Sequence, residues 1–399
     1  PIPALWAEAN APAEERVILY RSEGLSYTGN LGDKTAADME GSIEAQTLQV
    51  QGLTADHPIL NLLDITNTNV KFDLAESEEE NTLSVTGTVD VLSGEYSYSF
   101  GEIGQSASAD FSVDGMSMAF DSAGEFDRMV EDFETYLASG GGFDLVMAFG
   151  PSVGSSVTRS PELSMSVNGR SGRTDAVVSV SSDGAIYQTK YDGFDYSVEP
   201  LDGSLPIPPF SVSMAQGLID LAMPTSQTEE AQEARIGFEL VDVTADEGLW
   251  SLIDPEQVLP RDPATVEIGL RAEMMLNGPI TQAIQRAAAS PMAAGQVETV
   301  TLDKLILDIA GANVTAMGAL EIDNTGFMPM PNGAVDVTLK GVTGLSQNLV
   351  ALGLLDQMQA GMAMGMMMAF AKPGSGPDEF TSKIEFKNGG IYANGQQIQ

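Results

Sequence analysis

Over most of its length this chain alternates apolar and polar residues with period two, and Asp-Gly or Asn-Gly pairs punctuate the alternation. Period two is the pitch of a strand that shows one face to a dry environment and the other to water. The pairs fall at 114–115, 168–169, 183–184, 192–193, 202–203, 277–278, 332–333, 388–389 and 394–395. They supply the φ > 0 residues that two-residue hairpin turns require, so each is expected to close a hairpin. Leu83–Leu92, Ala107–Val113, Leu163–Asn168, Ala176–Ser181, Val266–Met275 and Val335–Leu339 read as strands between them. The expected fold is mainly β: an elongated antiparallel sheet with a few helices packed on its concave face.

Helical patterns are few, and each has its own punctuation. Ser122 and Glu125 form a capping box ahead of an apolar stripe from Phe126 to Leu137, which Gly140–Gly142 stops. Thr244 and Glu247 form a second box before Leu249–Ile253, ended by Asp254-Pro255. A third helix is expected from Thr281 to Ser290, and a fourth over Leu345–Phe370, closed by Lys372-Pro373-Gly374.

The order strand, strand, helix, glycine-rich loop, strand occurs in both halves, around VTGTVDV (85–91) and again around VTAMGALEI (314–322). That order reads as a candidate internal duplication. The Pro-rich stretch Leu201–Phe210 is the expected seam, dividing the chain into 1–200 and 201–399.

Charge and rare residues narrow the chemistry. Eighteen Lys and Arg stand against 57 Asp and Glu, a net charge of −39, which repels phosphate backbones and argues against nucleic-acid partners. The absence of cysteine excludes disulfides, thiolate metal sites and cysteine nucleophiles. A single histidine, His57, excludes chemistry that needs two imidazoles. No cofactor motif is present, and no EF-hand spacing supports a calcium site. The longest apolar stretch, Leu349–Phe370, is interrupted by Asp356, Gln357 and Gln359, so a transmembrane span is not expected.

LWSLIDPEQVLPRDPATVEIGL (249–270) resembles the most characteristic stretch of an alphaproteobacterial family known as domain of unknown function 2125. TLDKLILDIAGANVTAMGALEIDN (301–324), PNGAVDVTLKGVTGLSQNLVALGLL (331–355) and TSKIEFKNGGIYANGQQI (381–398) resemble it in the same order. The resemblance runs from about residue 190 to the end. It brings no activity and no catalytic residues. It implies a Gram-negative source and an exported, periplasmic protein whose leader has been removed, an expectation that the start at Pro1 suits. The last ninety residues also resemble, more distantly, the strand-rich ends of AsmA-like envelope proteins, a group associated with β-grooves that carry lipid.

Gly150-Pro151-Ser152-Val153-Gly154 matches the G-x-S-x-G elbow of serine hydrolases, but no helical pattern follows Ser152 and Pro151 would distort the turn. His57, in Ala-Asp-His-Pro, reads as a loop histidine, and Glu76–Glu80 as a solvated acidic tip. Leu259-Pro260-Arg261-Asp262-Pro263 reads as a rigid corner beside Trp250, in which Arg261 pairs with Asp254 or Asp262.

Methionines carry the strongest signal. Six of the 20 fall between Met358 and Met368, and past Gln359 the helix is apolar all round, so it needs cover on both sides. Leu349, Leu352, Leu355, Met362, Met366 and Phe370 share one stripe and are the expected ligand- or partner-facing residues. The cover could be the sheet, a partner protein or an acyl chain. The expected function is therefore non-enzymatic: an envelope protein holding a lipid or other apolar ligand in a sheet-and-helix groove. The alternative is a structural or assembly partner whose apolar helix another protein covers.

Thirty-nine uncompensated negative charges repel one another, and salt limits that repulsion to about 10 Å at 0.1 M ionic strength. Stability is expected to rise with sodium chloride; a melting temperature that is flat or falls as salt is added would contradict this.

Overall fold

The computed structural model describes residues 16–31, 36–52, 62–77, 81–100, 104–203, 205–289, 294–326 and 328–398. Strand accounts for 61% of the structure and helix for 15%, which makes the chain mainly β. Every strand pairing among the described residues is antiparallel, and all strands belong to one sheet.

The sheet is a meander in which each strand pairs with the next in sequence. Arg16–Glu23 and Ser26–Leu31 lie end to end along Ala36–Gly52. Leu62–Ser77, Thr82–Phe100 and Gln105–Ala123 follow in register. Gly142–Phe149 and Ser152–Arg159 then run end to end along Gln105–Ala123, acting as one long strand interrupted at Gly150-Pro151. The same arrangement joins Ser164–Ser171 to Thr174–Val180, Ala185–Tyr191 to Phe194–Pro200, and Phe210–Met214 to Gln216–Met223. Gln232–Ala245, Ala264–Leu276, Gly295–Ile309, Ala312–Asp323, Met330–Lys340 and Glu379–Lys387 complete the run, with the short Gly390–Ala393 and Gln396–Gln397 at its edge. The expected seam at 201–210 connects Phe194–Pro200 to Phe210–Met214, which are neighbours in this ladder.

Among the described residues, six helices occupy connections at the two ends of the strands. At one end lie α1 (Phe126–Glu131), α2 (Phe133–Ala138) and α4 (Ile280–Ala289); at the other lie α3 (Glu247–Ile253), α5 (Val342–Ala351) and α6 (Gln357–Phe370). Two expected helices are each broken in two. Asp132 interrupts Phe126–Leu137 because its carboxylate caps a new start, accepting from the Thr135 amide at 3.1 Å. Asp356 does the same to Leu345–Phe370, forming a capping box with Gln359. Ser122 lies in a strand, and Glu125 is the N-cap residue, its carboxylate pairing with Arg128 rather than capping the helix. Asp246, not Thr244, caps α3, while the Thr244 hydroxyl pairs with Ser213 at 2.6 Å.

The glycine pairs divide into two groups. Those at 388–389 and 394–395 take positive φ at both residues and turn hairpins, 202–203 does so within the longer connection from Pro200 to Phe210, and 183–184 closes a tight turn through the Ser181 amide and Gly184 carbonyl. Asn277-Gly278 leads from a strand into α4. Asn168-Gly169 and Asn332-Gly333 lie inside strands, correcting the expectation of turns there. Asp114-Gly115 and Asp192-Gly193 also lie in mid-sheet, on a line that crosses the strands.

On that line the ladder changes phase. An antiparallel pair bonds every second opposed pair of residues. Here consecutive pairs are bonded: Gly150 N–H to Gly115 O at 2.7 Å, and Asp114 N–H to Pro151 O at 2.9 Å. Two strands further on, Gly172 N–H donates to Gly193 O at 3.0 Å and Asp192 N–H to Arg173 O at 2.8 Å. Because neighbouring strands make the same adjustment at opposed positions, the register is unbroken on either side.

Glycine is required where this line draws backbones together. A Cβ on Gly150 would stand 1.6 Å from the Asp114 carbonyl oxygen, whereas one on Gly361 in α6 would meet open space. Gly150→Ala is expected to lose about 2 kcal/mol or more, and Gly361→Ala to gain about 0.5–1 kcal/mol. Chemical denaturation of the two variants measures both.

Candidate functional site

The phase change decides which side chains share a face. In Gln105–Ala123 the apolar residues Ala107, Ala109, Phe111 and Val113 are odd-numbered, and Met116, Met118 and Phe120 beyond Gly115 are even-numbered. In Ala185–Pro200, Tyr187 and Tyr191 give way to Phe194, Tyr196 and Val198 across Asp192-Gly193. In an unshifted ladder a one-residue slip would send half of these to the opposite face. The reset cancels the slip, so the apolar residues of these strands stay on one face on both sides of the line; in Ser152–Arg159 they are opposed by Ser152, Gly154, Ser156 and Thr158.

That face also continues across the strands. Opposed residues form the row Met39, Leu74, Val85, Phe120, Leu145, Val178, Tyr187, Leu221, Ile236, Leu270, Leu302, Gly318, Val335 and Ile384. Tyr96, Ala109, Ser156, Val167, Val198 and Phe210 form a row beyond the line. Ring contacts run within the face, Phe120 to Phe143 at 6.1 Å and Phe194 to Tyr196 at 5.3 Å between centroids.

No second layer covers this face among the described residues. Among the described residues only fourteen apolar side chains besides Pro224 are buried, and seven of the fourteen are alanine. Met118, Tyr187, Tyr191, Met223 and Ile236, all on the apolar face, are exposed, Ile236 by 53%. The chain exposes 23,720 Å² of surface, against about 15,000 Å² expected for a compact protein of this size. The opposite face is polar and carries cross-strand ion pairs: Arg235 with Asp220 at 2.8 Å, Arg271 with Asp303, and Lys304 with both Glu239 and Glu267 at 2.6 Å.

The break at Asp356 divides the expected stripe of six residues. Leu349, Leu352 and Leu355 are half-buried at the end of α5 and in the break that follows it. Met362, Met366 and Phe370 lie on the exposed side of α6, whose half-buried side is Ala360, Met364 and Met367. The sheet therefore does not supply the cover that an all-apolar helix was expected to need. Sequence reasoning missed the sheet-face residues; the signal available was the one-residue slip in alternation at each mid-strand glycine pair.

The corner at Arg261 is well built. Asp254 is fully buried and accepts from the Val258 and Leu259 amides at 2.9 and 2.7 Å. Arg261 Nη1 reaches it at 2.6 Å, and the guanidinium lies 4.4 Å over the Trp250 ring while its Nε meets Glu247 at 3.2 Å. Asp262 is exposed, so of the two expected partners Arg261 takes Asp254. The corner ties α3 to the segment that follows it. Ser152 shares a hydrogen bond with Ser171 at 2.7 Å within the sheet, and no helix follows it. His57 and Glu78–Glu80 lie outside the described residues. Among the described residues no group of acids and histidine could hold a metal ion, and no helix is long and apolar enough to cross a membrane.

A single antiparallel meander with one open apolar face and one charged face defines the class of protein. The chain belongs to the family described as "Uncharacterized protein conserved in bacteria (DUF2125)", whose model matches residues 150–398. No curated protein and no solved structure matches the chain.

Burial opposes the Asp254 carboxylate, but the bonds from Arg261, Val258 and Leu259 outweigh it and hold its pKa below the ordinary 3.8. A carboxylate whose pKa falls on folding adds stability above its unfolded pKa and loses it as pH drops through the folded value. Asp254→Asn is therefore expected to destabilise the chain at about pH 7, with the gap from the parent closing once the pH falls below the ordinary carboxylate value. Denaturant midpoints of both proteins across that range check it.

Proposed function

We propose that this chain is a non-enzymatic binding protein of the bacterial envelope that holds a lipid or other apolar ligand against its apolar sheet face. The observation that carries the reading is that face itself, continuous across the strands and open at Met118, Tyr187, Tyr191, Met223 and Ile236. Apolar surface of this extent is costly to leave in water, at about 25 cal/mol per Å², and exposed patches of more than a few hundred Å² mark binding surfaces. An acyl chain fits an apolar strip of any direction because it makes no hydrogen bonds. The main chain of the sheet is already bonded within the ladder, so it needs none from a ligand. The envelope location rests on the family resemblance, and the sheet-and-helix groove narrows here to the sheet.

The alternative, a structural or assembly partner whose apolar helix another protein covers, predicts bound protein rather than lipid. Native mass spectrometry of chain purified without detergent, followed by organic extraction, is expected to recover a bound apolar molecule. Ile236→Glu places an unpaired carboxylate on the apolar face and is expected to remove that molecule. Val146→Glu, on the opposite face and also exposed, is expected to leave it in place. A parent protein free of lipid, or equal loss in both variants, would sink the reading; a stoichiometric second polypeptide would favour the alternative.

A further inference from the structure

Helix α6 stands apart from the apolar sheet face. Gln357–Phe370 contains no charged residue, and Met358, Met362, Met366 and Met368 are exposed by 72%, 59%, 61% and 54%. The helix is nevertheless held firmly. Its start has the Asp356 capping box, and the Phe370 carbonyl accepts from Ser382 at 2.6 Å and Asn394 at 2.9 Å. The exposure is thus a property of the fold.

The shape of the exposed surface selects what can cover it. At about 100° per residue, the exposed residues from Met368 round through Met358 to Phe370 span an arc of about 200°. A helix seated in a protein groove presents an apolar stripe of about 100° and keeps the rest polar. Acyl chains can close around the wider arc. The helix is about 21 Å long, short of the roughly 30 Å hydrocarbon core, so it would lie within one leaflet rather than cross.

Charge points the same way. Residues 331–399 carry four lysines and five carboxylates, a net −1, which leaves −38 of the total on the other 330 residues. The repulsion that keeps most of this chain from a lipid surface is small on α6 and its sequence neighbours, whereas the α3 side of the same end carries exposed Glu247, Glu256 and Asp262. At the same end of the strands, Leu252 and Ile253 of α3 and Leu354 after α5 are also exposed.

We propose that α6 docks this end of the sheet on a lipid bilayer, with Met358, Met362, Met366 and Phe370 lying among the acyl chains beneath the headgroups. The docking does not depend on a ligand at the sheet face, and a chain that carries no lipid could still dock.

Flotation of the full chain with phosphatidylcholine vesicles tests it, alongside phosphatidylglycerol vesicles. The parent is expected to float with phosphatidylcholine, and less with phosphatidylglycerol because of its net charge. The double variant Met362→Glu/Met366→Glu is expected to bind at least about tenfold less, with unchanged circular dichroism because both sites are exposed. A Met366→Trp chain is expected to shift its emission to shorter wavelength when vesicles are added. A parent that floats with neither vesicle, a double variant that floats like the parent, or an unshifted Trp emission would each overturn the proposal. So would a parent dimer in solution that the double variant turns into a monomer, since a second copy would then be the cover.

Discussion

Everything in this molecule hangs on the main-chain ladder and on where its phase changes. Strands of up to 19 residues twist and have no reason to keep one face apolar unless alternation and hydrogen bonding stay in step. The sequence slips by one residue in mid-strand, and the ladder slips with it. Pro151 fits on that line because its pair with Asp114 needs only the proline carbonyl, the amide coming from Asp114. Gly150 fits because the Asp114 carbonyl occupies the space where its side chain would be. Two backbone rules, a missing donor and a missing Cβ, thus maintain a side-chain property on both sides of that line.

With little buried core, cohesion has to come from within the layer. Opposed side chains on the apolar face shield one another, which is why most are half-buried rather than exposed. The polar face adds carboxylates bridged by the few available cations, Lys304 between two glutamates being the densest case. Such pairs are individually weak in water. They matter here because Glu239 and Glu267 stand directly opposite each other across strands, and the Lys304 ammonium bonded to both offsets their repulsion.

Strand positions were legible in the sequence because period two is a direct image of the pleat, and the helices were legible because their apolar spacing differs from it. The breaks were harder to read. An aspartate inside an apolar run can be a tolerated polar residue or a new cap, and only the geometry at Asp132 and Asp356 distinguishes the two. Asp-Gly at 114–115 reads locally like the turn pairs at the chain's end, yet lies in mid-sheet, because a positive φ serves a phase change as well as a hairpin. The Arg261 corner was read from its prolines, with its partner narrowed to two acids. The open face was not read, since which residues line up across strands depends on register that no single segment encodes.

The meander has one further consequence. Each strand leans on its neighbours in sequence, so no pairing depends on a distant part of the chain. Hairpins are therefore modular. Adding or removing one would change the breadth of the apolar face by about 10 Å, two inter-strand spacings, without altering its chemistry. The length of the gene acts as a ruler for the width of the surface it encodes.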